Sequence, residues 1–168
     1  MTYTRAPLET TRAIILVDMI STGQAISRSL KFNVKQPLDI RVIAYEHATL
    51  ALTASAIRST HVFLLDLFRK YPGGRRAEGL IAAQRLATFG ASCLLVSPLE
   101  FSQAQAFDIY WDPGCKDRLV RRIERLCNGL SRDPRREFRE LNRVFAATLE
   151  IPRTHTQRSP GAFQAHGL

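Results

Sequence analysis

Apolar positions along the chain gather into short runs separated by longer stretches that mix apolar and polar residues. Ala13-Ile14-Ile15-Leu16-Val17 is the first run and ends on Asp18. Ile40-Arg41-Val42-Ile43-Ala44 is the second, with Pro37 just before it. Val62-Phe63-Leu64-Leu65 is the third and ends on Asp66, and Cys93-Leu94-Leu95-Val96 is the fourth, followed by Ser97-Pro98. Unbroken apolar runs of this kind predict strands buried on both faces, as in the interior of a parallel sheet. A weaker fifth strand is expected over Phe107-Asp108-Ile109-Tyr110-Trp111, ahead of Asp112-Pro113.

The segments between the runs read as helices. Ser21 or Thr22 can cap a helix through about Leu30. An Ala-rich helix is expected from about His47 to Ile57, and another from Glu78 to Ala87, closed by Phe89-Gly90. Leu119, Val120, Ile123 and Leu126 fall at helical spacing within a helix from Lys116 to Cys127. The alternation of strand and helix predicts a parallel sheet with helices on both faces. Gly129 and Pro134 mark a break. A further helix is expected over Arg135 to Leu149, with Phe138, Leu141, Val144, Phe145 and Leu149 along one stripe. From Pro152 onward the polar composition predicts a mobile tail. The expected division is an N-terminal extension over 1–11, an α/β domain over 12–128, an added helix within 129–151 and the tail over 152–168.

Composition changes this picture in one respect. A 168-residue chain with 45% hydrophobic and 23% charged residues is ordinary for a globular protein, but a net charge of +9 and a pI near 10.2 are not. Such a balance suits contact with nucleic acid, acidic lipids or an acidic protein. The loop Arg69-Lys70-Tyr71-Pro72-Gly73-Gly74-Arg75-Arg76 is a candidate partner surface through Arg69, Lys70, Tyr71, Arg75 and Arg76. Its glycines lack the spacing of a phosphate-binding loop. Ten basic and five acidic residues lie between Lys116 and Arg143, leaving about +5 there. Arg118, Arg121 and Arg125 could share one helical face there, open to phosphates or simply to water. Cys93, Cys115 and Cys127 form no C-x-x-C pair and no zinc spacing, and the four histidines are scattered. No G-x-S-x-G element marks a serine hydrolase. No segment nears the roughly 20 apolar residues of a membrane span. Met1-Thr2-Tyr3-Thr4-Arg5 lacks the layout of a secretory signal, so a cytoplasmic setting is expected.

Strands ending on Asp18 and Asp66, then Leu94-Leu95-Val96-Ser97, then Tyr110-Trp111-Asp112-Pro113 leading into a last helix, resemble the receiver domain of bacterial two-component response regulators. The resemblance covers about residues 12–126 and implies a flavodoxin-like (βα)5 fold with strand order 2-1-3-4-5. It places Asp66 at the phosphoacceptor position and Ser97 at the switch hydroxyl. It also implies Mg²⁺ held by paired acids after the first strand, but Met19 stands where the second acid is expected, and a thioether is a poor ligand for that ion. Asp112 replaces the family's lysine and Ile109 its switch aromatic. Asp18, Asp66 and Asp112 would then form an acid pocket without a matching cation.

These departures lead to an expected pseudo-receiver: not an enzyme, with no cofactor, binding a protein such as a histidine kinase or a transcriptional regulator. The alternatives are a response regulator phosphorylated on Asp66 with Mg²⁺, and a nucleic-acid-binding accessory using the basic C-terminal region. The stripe of Phe138, Leu141 and Phe145 is expected to form a homodimer, dock a partner or pack back on its own domain.

Overall fold

A computed structural model describes residues 2–4, 8–96, 116–132, 139 and 143. In chain order the elements are β1 (Thr2–Thr4), β2 (Thr11–Val17), α1 (Ile20–Asn33), β3 (Leu38–Ala44), α2 (Tyr45–Ala51), α3 (Ala54–Ser59), β4 (Val62–Asp66), β5 (Arg69–Tyr71), β6 (Gly74–Arg76), α4 (Glu78–Ala87), β7 (Cys93–Val96), α5 (Lys116–Cys127) and β8 (Leu130–Arg132). Among the described residues the main sheet has four parallel strands in the order β3-β2-β4-β7. Among the main-sheet strands alone, this is the order 2-1-3-4 of a flavodoxin-like fold. The expected fifth strand lies outside the described residues.

Side chains alternate across the sheet with a period of two, and each set meets its own helices. Ile14, Leu16, Phe63, Leu65 and Leu95 face α2, α3 and α4, packing with Tyr45, Ile57, Leu80, Ala83 and Leu86. Ala13, Ile15, Val17, Leu64 and Val96 face the opposite way, toward Ile26 and Leu30 of α1 and Leu119, Ile123 and Leu126 of α5. All five residues of β4 are buried, as a central strand covered on both faces requires.

Several boundaries differ from those the sequence suggests. Helix α1 starts after Met19, which makes no side-chain cap hydrogen bond, so Ser21 and Thr22 lie inside the helix. It also runs past Leu30 to Asn33. The Ala-rich stretch expected as one helix over 47–57 is two. Thr53 Oγ1 accepts from the Ala56 N–H at 3.2 Å, so the hydroxyl caps α3 and helps to separate it from α2. Thr53→Ala should cost about 1 kcal/mol in urea denaturation; an unchanged midpoint would mean that this cap contributes nothing.

Two antiparallel pairings were not anticipated. β1 pairs with β8, matching Tyr3 with Ser131. Nearby, the Leu8 N–H donates to the Cys127 carbonyl at 2.9 Å and the buried Thr11 hydroxyl donates to Cys127 Sγ at 3.0 Å. Within the expected N-terminal extension, residues 2–4, Leu8 and Thr11 are thus fastened to the end of α5 and the residues after it. The basic loop after Asp66 is an ordered hairpin, β5-β6, turning at Pro72-Gly73. Gly74, at φ 131°, takes a backbone conformation that other residues rarely adopt.

Candidate functional site

Ligands of open α/β sheets gather at the carboxyl ends of the strands, and here that edge is acidic. Asp66 is the last residue of β4 and is only 6% exposed. Asp18 follows β2 directly and is half-buried. The pairing that aligns Leu16 with Leu65 sets Val17 beside Asp66, with Asp18 one residue further. Adjacent parallel strands therefore bring both acids to the same edge.

Helix α4 approaches this edge closely. A Cβ on Gly79 would lie 2.3 Å from the Asp66 carbonyl oxygen, and the Gly79 N–H donates to the Leu67 carbonyl at 3.2 Å. Tyr45, the first residue of α2, is buried and donates its hydroxyl to the Asp66 carbonyl. Its pKa is raised far above the ordinary value of 10.0, chiefly by burial and then by the charges of Asp66, Glu78 and Asp18, with Cys93 contributing least. The negative charges of Asp66, Glu78 and Asp18 thus all favour the protonated form of one buried phenol.

The hairpin is tied to two of these acids. The Lys70 backbone N–H donates to Asp18 Oδ2 at 3.1 Å, and the Tyr71 hydroxyl donates to Glu78 Oε2 at 2.9 Å. The Tyr71 ring carries the Arg69 guanidinium at 5.0 Å and that of Arg76 at 4.6 Å from its centroid, within cation–π range. Arg75 pairs with Lys70 in the strand register. Arg69, Lys70, Tyr71, Arg75 and Arg76, expected as a partner surface, therefore belong to one hairpin beside the acidic edge.

The described part of this edge does not fit Mg²⁺. The first turn of α1 holds no acid, Met19 is 56% exposed beside Asp18, and Asp18 already accepts from the Lys70 amide. Among the described residues no group of three or more His, Cys, Asp or Glu is arranged to hold a metal. Ser97, Asp112, Phe138, Leu141 and Phe145 lie outside the described residues, so the pocket expected from Asp18, Asp66 and Asp112 is described only in its first two members. Arg139 and Arg143 are helical and exposed. On α5, Arg121 and Arg125 are exposed and Arg118 is half-buried, while Arg122 is buried with the helix's apolar residues.

Sequence reasoning missed Tyr45, Glu78 and Gly79. Tyr45 had a usable signal: it directly follows the second apolar run, so it belongs to the same sheet edge as Asp18 and Asp66. Glu78 reads in the sequence only as a helix start. Its part in the site depends on the hairpin that precedes it, and nothing local announces that hairpin beyond Pro72-Gly73-Gly74.

Strand order and two-sided helix packing define a flavodoxin-like α/β domain whose acidic carboxyl edge is flanked by a basic hairpin. No family model and no curated protein matches the chain. Among solved structures, the chain is similar to a Burkholderia pseudomallei protein named "Putative pilus assembly-related protein". The two share 14% identity at a TM-score of 0.49, over 73% of this chain and 92% of the other. The fold assignment rests on the strand order and packing described above.

Proposed function

We propose that the chain is a receiver-like signalling domain that binds another protein and works without phosphoryl transfer. The observation that supports this most directly is the bond from the Lys70 amide to Asp18 Oδ2. It gives the lone acid after β2 a main-chain partner where a phosphorylatable receiver needs a metal ligand. Exposed Met19 beside it offers only a thioether. Asp66 then serves as a buried structural acid at the end of β4, and binding rather than catalysis is the output.

Incubation with acetyl phosphate or beryllofluoride and Mg²⁺, followed by intact-mass measurement and amide NMR, tests this reading. The expected result is no added phosphate and no Mg²⁺-dependent shift at Asp66. Stoichiometric modification that disappears in Asp66→Asn would overturn the proposal and establish a phosphorylated response regulator.

A further inference from the structure

We propose that Arg69 and Arg76 form a carboxylate clamp that holds an acidic segment of the partner protein. This inference rests on the protein-binding reading and supplies the partner's chemistry. Arg69 and Arg76 are directly cross-strand in the hairpin register. Like charges in that position destabilise a strand pair unless something offsets them. Tyr71 lies two residues beyond Arg69 on the same strand and hence on the same hairpin face. Both guanidinium groups lie within cation–π range of its ring, at 5.0 and 4.6 Å.

Neither guanidinium has an ion pair or hydrogen bond among the described residues; the Tyr71 ring is the contact each makes. The ring is itself fixed, because its hydroxyl is bonded to Glu78. Among the described residues, two planar donors are therefore held against one ring without an ion pair. Guanidinium groups bind carboxylates through paired N–H donors, and groups already ordered lose less freedom on binding.

The surroundings favour an acidic protein over nucleic acid. Asp18 and Glu78 anchor the base of the same hairpin. A continuous phosphate backbone would run into those charges, whereas nucleic-acid surfaces need a basic track that follows several phosphates. A carboxylate-bearing side chain can enter the clamp singly.

The test uses the full chain and a fluorescein-labelled peptide of eight glutamates, followed by anisotropy at about 0.15 M salt, where exposed charges are screened beyond about 8 Å. The peptide should bind, and Arg69→Gln/Arg76→Gln should weaken it about tenfold or more. Arg41→Gln/Arg125→Gln removes the same charge from exposed sites elsewhere and should weaken binding far less. Tyr71→Ala keeps both arginines but removes the ring that positions them, so it should also weaken binding, while Tyr71→Phe keeps the ring but loses its bond to Glu78, so its binding should fall between those of the parent and Tyr71→Ala. Circular dichroism of each variant establishes that it is folded. No binding, equal losses in the two double variants, or tighter binding of an eight-nucleotide single strand than of the peptide would each overturn the clamp. The phosphodonor experiment is unaffected by these outcomes, so failure of the clamp is distinguishable from failure of the signalling reading.

Discussion

Gly79→Ala is expected to destabilise the fold by about 1–3 kcal/mol, the usual scale of overpacking. The direction is informative because the same change at an open helical position should stabilise by about 1 kcal/mol through helix propensity. Gly79 is a helical residue of α4, so conformational freedom is not what the site requires. Space is. The new methyl group would lie 2.3 Å from the Asp66 carbonyl oxygen, 2.9 Å from its carbonyl carbon and 2.9 Å from Leu67 Cα. These are backbone atoms at the end of a strand hydrogen-bonded between β2 and β7, and they cannot rotate aside. Relief would require α4 to lift away from β4, loosening the packing of Leu80 and Ala83. Urea denaturation of the parent, Gly79→Ala and Gly73→Ala would measure the effect. Gly73 serves as a control because a Cβ there meets nothing within 4 Å. If Gly79→Ala were as stable as the parent, the close approach of α4 to Asp66 would be wrong.

The parallel sheet was legible in the sequence because its strands are buried on both faces. Residues 13–17, 62–65 and 93–96 must all be apolar when helices cover both sides, and such runs stand out without any alignment. Helices α4 and α5 were equally clear, with Glu78–Ala87 and Lys116–Cys127 found at the expected bounds. Elements that depend on a single hydrogen bond or a distant pairing were not legible. Thr53 looks like one more residue of an Ala-rich helix until its hydroxyl is seen to cap the next one. Thr2–Thr4 carries no apolar signature, and its strand character comes from Leu130–Arg132, far along the chain. At the site, Asp18 and Asp66 were visible because acids that end apolar runs collect at one sheet edge. Tyr45 carried the same signal by directly following an apolar run, but its inward bond to the Asp66 carbonyl depends on how α2 packs. Glu78 was not legible, because its closeness to those acids depends on how α4 and the hairpin pack.

Raising the pH beyond about 10 is expected to erode the protein's stability through Tyr45, by about 1.4 kcal/mol for each further pH unit. Its hydroxyl donates to the Asp66 carbonyl in a buried setting. Loss of that proton would turn a donor into a phenolate facing a carbonyl oxygen, with Asp66, Glu78 and Asp18 as its charged neighbours and the Cys93 thiol beside them. The folded chain therefore keeps the proton beyond the pH at which the unfolded chain releases it, near the ordinary value of 10.0. The linked stability is intact below that pH and falls as pH rises above it, because the unfolded state then binds fewer protons. General charge repulsion is a poor rival explanation, since the chain's net charge is close to zero near its pI of about 10.2. Tyr45→Phe removes both the hydrogen bond and the titration. It should be about 1–2 kcal/mol less stable at pH 7, where the Asp66 carbonyl loses its donor. Its stability should then decline less steeply between about pH 9 and 12, so that the two curves converge. Absorbance of ionised tyrosine, followed alongside circular dichroism, gives an independent readout. Of the four tyrosines in the chain, one should ionise only as the parent unfolds, and that late step should be missing in Tyr45→Phe. Parallel pH curves for the two proteins, or ionisation of every tyrosine before unfolding, would remove Tyr45 from this role.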